Sequence, residues 1–345
     1  SIQSIHDETV SKTCESLHYL DVSIFTHILS GRNVMSQERY RSLNGALRER
    51  FGEKLYKLSL NGGCTCPNRD GTLGTRGCIF CSAGGSGDFA ASARLSVTEQ
   101  IADAKKRLAG KRPVEHYIAY FQAYTNTYAP IGHLRKIFTE AAAHPDVAVL
   151  SIATRPDCLG PEVLELLYEL NQRKPVWVEL GLQTMHEETA GFIRRGYPLS
   201  VFDEAMENLQ AIGVETVVHA ILGLPGETPE MILDTVRYIN ASGADGIKLQ
   251  LLHILKGTDL ASYYETTGFH VLTLEEYVDL VIHCLEIARP DLVIHRLTGD
   301  GPKDLLIAPL WSQAKRQVLN TIQKELKIRD TYQGRLYTPV PGQIS

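Results

Sequence analysis

The chain has 345 residues, of which 43% are hydrophobic and 22% are charged, and its formal net charge is -5. This composition is that of an ordinary globular protein and excludes a disordered or fibrous chain. The negative charge excludes a protein whose whole surface is devoted to nucleic acid, while a local basic patch stays compatible with it.

The N-terminal part of the sequence carries only weak periodic patterns, up to about Met35. It lacks the basic start and apolar run of a secretory signal, and no window approaches the roughly 18 to 20 apolar residues needed to span a bilayer. We therefore expect a cytoplasmic protein without membrane contact. Residues 1–39 are predicted to form a helical extension with no catalytic role.

From Phe51 onward, short β-branched runs alternate with helical stretches, and Gly, Pro or Asn separates them. This pattern is typical of repeated βα units around parallel strands. The predicted strands are 54–60, 116–122, 148–153, 176–182, 215–222 and 246–253. The predicted helices between them are 97–108, 131–143, 161–171, 198–212 and 229–242.

Six strand and helix pairs predict an α/β fold with a partial (β/α)6 TIM-like barrel rather than a complete eight-fold one. The barrel is expected over residues 40–290. Residues 291–345 are expected to close it, with 292–297 returning near the open side and 303–327 forming a last helix. In such barrels the active site lies on the loops that follow the strands.

Four of the seven cysteines, Cys64, Cys66, Cys78 and Cys81, follow the first predicted strand directly. In a chain without an export signal, such a cluster binds metal more often than it forms disulfides. Thiolates are the usual ligands of iron-sulfur clusters. A tetrahedral zinc site is the alternative, although Cys64-x-Cys66 is tighter than the usual ligand spacing.

The run Thr65-Cys-Pro-Asn-Arg-Asp-Gly-Thr72, with Gly77-Cys78-x-Phe80-Cys81, resembles the YhcC/YtqA-type radical S-adenosylmethionine (SAM) proteins. These are relatives of the Elongator catalytic subunit and of oxygen-independent coproporphyrinogen oxidase. The resemblance implies a 4Fe-4S cluster on Cys66, Cys78 and Cys81, whose open iron binds SAM. Eleven residues separate the first two of these cysteines, a departure from the superfamily's commonest Cys-x3-Cys-x2-Cys pattern that the YhcC type shares. Cys64 lies outside the motif and receives no ligand role.

The resemblance also implies the chemistry, which is reductive cleavage of SAM to a 5'-deoxyadenosyl radical. A reductase or a flavodoxin- or ferredoxin-type protein would supply the electron. Strand alternation places Glu179 and Gln183 on one face of the fourth strand. The resemblance assigns Gln183 to the ribose or methionyl part of SAM, and Arg195, or else Arg194, to its carboxylate, a task that suits a guanidinium fork.

Further cofactor contacts are implied after the second and fifth strands. They are Gln122 and Asn126 after the second, and His219, Ile221 and Leu224 at the end of the fifth. Alternatively, Gln122 and Asn126 are turn residues without a ligand role, and His219 is a core histidine whose hydrogen bonds are all made within the protein.

Polar side chains at the end of the sixth strand and in the region after it suggest a lined substrate cavity. We expect Lys248, His253, Arg296 and Asp300 to act on the substrate, with structural ion pairs as the alternative. The segment after Trp311 contains six Lys or Arg against two acidic residues, with Tyr332 and Tyr337. Basic and aromatic side chains, Trp311 among them, are the groups that bind and stack on RNA.

Kinship to the Elongator subunit favours transfer RNA as the substrate, with chemistry on the 5-position side chain of the wobble uridine. The 345 residues contain no separate acetyltransferase domain of the Elongator kind, so acetyl-group chemistry is not implied. We expect removal or remodelling of an existing carboxymethylaminomethyl-type group instead. Two alternatives stay open, namely a radical enzyme acting on a small molecule or tetrapyrrole, and a non-catalytic zinc or iron-sulfur module.

Overall fold

The computed structural model describes residues 38–85, 87 and 90–339. The expectations for the N-terminal extension therefore lie almost wholly outside the described residues. All elements given below belong to the unit Tyr40–Ser345.

Seven parallel strands form one curled sheet, a half-barrel of the α/β class as the sequence predicted. In sheet order they are β1 Tyr56–Leu60, β2 Tyr117–Phe121, β3 Val147–Thr154, β4 Val176–Gln183, β5 Glu215–Leu222, β6 Gly246–Leu251 and β8 Val293–Arg296. The segment expected to return near the open side is thus a seventh strand beside β6. A small second sheet pairs β7 Ile254–Leu255 with β9 Leu306–Ala308.

Most of the helices connect successive strands and cover the outer face of the large sheet. The helices are α1 Leu43–Phe51, α2 Val97–Arg107, α3 Ile131–Ala143, α4 Pro161–Asn171, α5 Glu187–Phe192, α6 Leu199–Ala211, α7 Pro229–Ala241, α8 Asp259–Thr267, α9 Leu274–Ile287 and α10 Lys315–Ile328. The helix α1 precedes β1 and packs its Leu47 against Ile118 and Trp177. The main core lies between sheet and helices, where Phe121 of β2 packs edge-on against Phe138 of α3 with ring centroids 5.1 Å apart. No helix in the described ranges is long and apolar enough to cross a membrane.

The helix starts follow the capping signals in the sequence. Ser96 caps α2 by accepting from the Glu99 backbone N–H, and the Glu99 carboxylate accepts from the Ser96 backbone N–H, which completes the predicted capping box. Thr228 caps α7, and Pro229 occupies its first turn, where a missing N–H costs nothing. These caps set the helix starts and hence the ends of the loops that carry the site.

The predicted helix 303–327 is wrong over its first half. The chain there forms β9, which pairs antiparallel with β7, and then a short 3-10 turn over Leu310–Gln313. Pro309 explains the difference, because proline lacks an N–H and forces the preceding residue into an extended conformation. The helix α10 begins only at Lys315.

Candidate active site

A cavity of about 460 Å³ opens at the carboxyl edge of the half-barrel. Alternate side chains of each strand face it, among them Glu179 and Gln183 of β4, and Lys248 and Gln250 of β6. Their neighbours on the same strands point into the core between sheet and helices. The half-barrel therefore has an apolar outer face and a polar interior.

The cavity brings together most of the residues expected from the sequence. Its lining includes Cys66, Cys78, Cys81, Gln122, Glu179, Gln183, Arg195, His219, Ile221, Lys248, His253, Arg296 and Asp300. Asn126 and Leu224 are buried and lie outside the lining. The Asn126 amide donates to the Ala153 carbonyl at 3.0 Å, so its side chain serves the turn.

The long loop after β1 carries the three expected cluster cysteines, and its own side chains hold it in shape. The Arg69 guanidinium donates to the carbonyls of Cys81 and Ser82 at 2.9 and 2.6 Å. Gly77 has a φ of 74°, and a Cβ there would lie 2.8 Å from the Arg69 Nε. Only glycine suits this position, because it combines a left-handed backbone with close approach of a side chain.

Cys64 stands apart from the other three cysteines. It is buried in the main core, and its Sγ lies 3.8 Å from the Gly62 carbonyl oxygen. Zinc holds each sulfur at about 2.3 Å, so its ligand atoms lie within about 4.6 Å of one another. In the part of the chain that the structure describes, Glu53, Glu115 and His116 form a group that close, and no cysteines do. This geometry opposes a four-cysteine zinc site, whereas Cys66, Cys78 and Cys81 all line one cavity.

Glu179 is the centre of a buried charge network. Its carboxylate accepts from Lys57 Nζ at 2.7 Å, Ser151 Oγ at 2.8 Å, His219 Nε2 at 2.8 Å and Lys248 Nζ. Burial alone would raise the pKa of Glu179, but the Lys248 and Lys57 ammonium groups hold it well below its usual value. The carboxylate is therefore ionised, and protein donors occupy both of its oxygens.

His219 is neutral at physiological pH. Burial and the nearby Lys248 ammonium lower its pKa to about 4. Its Nε2–H then donates to Glu179, while Nδ1 accepts from the Gln250 amide at 3.2 Å. Both ring nitrogens are satisfied by the protein, as in the core-histidine alternative, although the ring also lines the cavity.

Gln183, at the end of β4, has an unusual backbone conformation and an unpaired buried oxygen. Its φ is 68°, a left-handed conformation that is uncommon outside glycine, and its Oε1 is buried without a hydrogen-bond partner among the described residues. Strained backbone and unpaired polar atoms concentrate at ligand sites. A ligand that donates to Oε1 would satisfy it, which is what the SAM assignment of Gln183 requires.

Arg195 is buried, and its donors are already engaged. The guanidinium donates to the carbonyls of Tyr197 at 3.1 Å and Thr184 at 2.6 Å, and to the Glu187 carboxylate at 3.3 Å. These bonds tie the turn after α5 to the end of β4. A contact with the SAM carboxylate, which stays a prediction, would compete with them.

Arg155 lines the same cavity and was missed from the sequence. It follows β3 directly, donates through Nε and Nη2 to the Asp157 carboxylate at 2.9 and 2.7 Å, and lies over the Tyr197 ring. Nη1 has no hydrogen-bond partner among the described residues. The signal was a lone arginine between a strand and a proline, in Thr154-Arg-Pro-Asp157, at the edge where chemistry was expected.

The expected substrate residues form the wall contributed by β6, β8 and the loops that follow them. Lys248 Nζ bonds to Glu179 and lies 3.1 Å from the Tyr120 hydroxyl. The His253 ring is held neutral, because burial lowers its pKa to about 4. Arg296 and Asp300 also line the cavity.

Comparisons with known proteins agree with the resemblance. Residues 70–239 match the family described as the radical SAM superfamily, and residues 244–328 match its C-terminal domain. The chain is 46% identical over 302 residues to the uncharacterized protein YtqA of Bacillus subtilis, covering 88% of this chain and 94% of YtqA. It is 37% identical over 278 residues to protein YhcC of Escherichia coli, covering 80% and 89%.

A solved structure and a more distant relative extend these comparisons. The archaeal Elp3 of Methanocaldococcus infernus superposes with a TM-score of 0.62 at 16% identity, covering 81% of this chain and 64% of that protein, which shows a shared fold. A tRNA uridine(34) acetyltransferase of Dehalococcoides mccartyi is 27% identical over 192 residues, covering 54% of this chain and 41% of that protein.

Proposed function

The chain belongs to the radical SAM superfamily, and on that premise we propose that it is a radical enzyme that acts on transfer RNA. A 4Fe-4S cluster and SAM are the cofactors of this superfamily. When bound, they supply a 5'-deoxyadenosyl radical that abstracts a hydrogen atom from the substrate. The proposed substrate is a wobble uridine with a carboxymethylaminomethyl-type group at its 5-position, which the reaction removes or remodels.

The observation that carries the proposal is the sequence similarity to a tRNA uridine(34) acetyltransferase. The similarity spans about half of this chain and less than half of that protein. An Elongator complex protein 3 of Schizosaccharomyces pombe is 27% identical over a similar length. We do not propose acetyl transfer, because the family matches at residues 70–239 and 244–328 are to the radical SAM superfamily and its C-terminal domain.

The position of α10 supports an RNA substrate. Lys315, at the start of this helix, donates to the Asp300 carboxylate at 2.7 and 2.5 Å, and Asp300 lines the cavity. A groove along the helix includes Lys315, Arg316 and Lys324. Lysine and arginine contacts to phosphates position a nucleic acid, while the reacting base is extruded into a pocket. In the proposed complex α10 contacts the backbone beside the cavity mouth.

The structure corrects part of the expectation for this segment. The Trp311 ring packs against Tyr277 with centroids 5.4 Å apart, and its indole N–H donates to the Leu272 carbonyl at 3.0 Å. Trp311 is therefore mainly a packing residue, which argues against its expected stacking on RNA, and that stacking stays a prediction. Tyr332 is 52% exposed and keeps that possible role. Stacking by Tyr337 stays a prediction.

The basic surplus is also smaller than the sequence suggested. Lys315 is neutralised by Asp300, and Arg329 pairs with Asp279 at 2.5 Å and with Glu325 at 3.4 Å. Arg316 and Lys324 form no ion pair within the described residues. These two side chains are our candidates for phosphate contacts.

We infer that a reductase or a flavodoxin- or ferredoxin-type protein delivers the electron. Superfamily chemistry consumes one electron for each SAM cleaved, so a donor must approach the loop that carries the cysteines. This loop reaches the surface at Leu73, which lies between Cys66 and Cys78 and is 54% exposed. A donor protein can therefore approach it from solvent.

The proposal is tested with protein reconstituted anaerobically and supplied with dithionite, SAM and bulk transfer RNA. We expect 5'-deoxyadenosine to form and the carboxymethylaminomethyluridine content of the RNA digest to fall, as measured by mass spectrometry. Cys66→Ala should abolish both changes. Cys64→Ala is the matched control and should preserve them, because Cys64 lies in the core.

The other outcomes separate the alternatives. If 5'-deoxyadenosine forms while every nucleoside in the RNA keeps its mass, transfer RNA is not the substrate, and a small molecule or tetrapyrrole should be sought. If SAM is not cleaved, the chain is a non-catalytic module.

A further inference from the structure

We infer that the wall formed by β6 and β8 is an anion subsite, in which Arg296 binds a carboxylate of the substrate and His253 contacts the neighbouring amine. The inference rests on the proposed function, since a carboxymethylaminomethyl group carries a carboxylate beside an amine. The inference goes beyond the proposed function because it assigns the carboxylate and the amine of the substrate to Arg296 and His253.

The register of β6 and β8 places two cationic side chains next to each other in the cavity wall. Lys248 of β6 and Arg296 of β8 are Cα partners across the parallel pair, and both side chains line the cavity. Like charges directly opposite each other on adjacent strands are unfavourable. Each cation therefore needs an anion. Lys248 has one inside the protein, because it bonds to the buried Glu179 carboxylate.

Arg296 has no comparable partner. Its nearest acidic atom is Asp300 Oδ2 at 3.7 Å, beyond hydrogen-bond distance, and Lys315 already holds Asp300 at 2.5 and 2.7 Å. Within the described residues the Arg296 guanidinium forms no hydrogen bond, and its side chain is 33% exposed. By contrast, Arg155 and Arg195 in the same lining are bound to carboxylates and carbonyls. Arg296 is thus a planar fork of donors that faces the cavity.

His253 supplies a second contact point next to Arg296. Its Nε2 is buried without a partner among the described residues. The loop after β8 lies against the ring, and a Cβ at Gly299 or Gly301 would come within 2.6 or 3.2 Å of it. Burial keeps the ring neutral, so Nε2 can accept a hydrogen bond from an amine. The two glycines let the loop close over the histidine.

Together these residues match the chemistry of a carboxymethylamino group. A guanidinium binds a carboxylate through two parallel hydrogen bonds, and a neutral imidazole accepts from the adjacent nitrogen. The phosphates of RNA are a second possible anion for Arg296. Its place inside the cavity, beside the buried Lys248, favours the carboxylate that enters with the reacting base.

The test measures binding without turnover, using cluster-loaded protein and SAM in the absence of reductant. Two anticodon stem-loops are compared, one with carboxymethylaminomethyluridine and one with aminomethyluridine at the wobble position. We expect wild type to bind the first about tenfold more tightly, the size of one charge-assisted pair. Arg296→Gln should abolish the preference, and Arg296→Lys should retain part of it. Arg173→Gln, an exposed arginine in the turn before β4, is the matched control and should behave as wild type.

Three results would overturn the inference. In the first, Arg296→Gln keeps the tenfold preference. In the second, it weakens the binding of both stem-loops equally, which would assign Arg296 to a phosphate. In the third, it weakens SAM binding alone, which would assign Arg296 to the cofactor. Failure of the proposed function gives a different signature, namely unchanged RNA nucleosides in the turnover assay. If the RNA is converted but wild type shows no preference, only the subsite is rejected.

Discussion

Glu179 of β4 and Lys248 of β6 form an ion pair inside the half-barrel, although β5 lies between their strands. The intervening strand contributes His219 to the same carboxylate, while β1 and β3 contribute Lys57 and Ser151. One buried carboxylate therefore joins five of the seven strands on the inner face of the sheet. A small apolar cluster of Leu47, Leu55, Ile118, Val149 and Trp177 packs on the same face. The charge network holds the strands' inner side chains beyond that cluster.

Removing this carboxylate is expected to be costly. Glu179→Ala leaves two lysines and a histidine unpaired in a buried site, and we expect the free energy of unfolding to fall by about 3–5 kcal/mol. Urea denaturation measures the change. Adding Lys248→Met should recover part of the loss, because the two residues are energetically coupled.

Glu169→Ala is the matched control for this prediction. Glu169 pairs with Arg135 on the surface, so its loss should cost no more than about 1 kcal/mol. Equal losses at Glu169 and Glu179 would contradict the role given to the buried network.

Stability should decline as the solution is acidified below neutrality. Burial lowers the folded-state pKa of His253 and of His219 from 6.5 to about 4. Below pH 6.5 the unfolded chain takes up protons that the folded chain refuses, so the free energy of unfolding falls until the pH reaches about 4. Each histidine contributes a slope of up to about 1.4 kcal/mol per pH unit in this window.

His253→Gln should flatten this slope, because it removes a titrating group that lies beside Arg296 and Asp300. Urea denaturation at a series of pH values between 7 and 4 measures the slope. The variant should take up about one proton fewer than wild type on unfolding. A slope identical to that of wild type would show that His253 is not held neutral. Glu179, whose pKa is lowered, acts in a separate and more acidic window, where protonation removes its stabilising pairs.

The two arginines of the cavity should respond differently to substitution. Arg155→Gln is expected to weaken SAM binding about tenfold, because Arg155 has an unpaired Nη1 at the cavity and lies near the cluster cysteines. Arg195→Gln should mainly lower the free energy of unfolding, by about 2–3 kcal/mol, since it leaves buried carbonyls unsatisfied. Titration of cluster-loaded protein with SAM and urea denaturation separate the two effects. If Arg195→Gln instead weakens SAM binding and Arg155→Gln only lowers the free energy of unfolding, Arg195 is the residue that contacts the SAM carboxylate.

Gln183 is expected to lower the stability of the protein and to strengthen the binding of SAM. Gln183→Gly relieves a left-handed backbone and removes a buried unpaired oxygen, so we expect it to raise the free energy of unfolding by about 1 kcal/mol. It should also lower SAM affinity, because the amide is lost. Gln183→Ala keeps the backbone strain and should show the weaker binding without the gain in stability. Unchanged affinity in both variants would remove Gln183 from the cofactor site.

The sequence predicted the repeating elements well because their signals are local. Glu215–Leu222, Ile131–Ala143 and Pro161–Asn171 have the predicted bounds, since period and punctuation agree there. Strand alternation also placed Glu179 and Gln183 on the cavity side. These inferences need only neighbours along the chain.

The remaining features depend on contacts between distant residues. Whether 292–297 joins the sheet depends on its pairing with β6, and the short β9 depends on β7. The engaged donors of Arg195 and the free Nη1 of Arg155 are set by which carbonyls and carboxylates surround them. A sequence motif identifies an arginine but not its hydrogen bonds, so the sequence alone could not tell which of the two guanidinium groups is already engaged.

Most of the cavity wall lies in the two matched regions of the chain, and Ser59, Cys66 and Arg69 precede both. Cys78, Cys81, Arg155 and Gln183 lie within residues 70–239, whereas Lys248, His253 and Arg296 lie within 244–328. The ion pair between Glu179 and Lys248 joins the two regions, because Glu179 belongs to the first and Lys248 to the second. Replacing either region with that of a relative should therefore preserve the half-barrel only if the new sequence supplies the matching member of this pair.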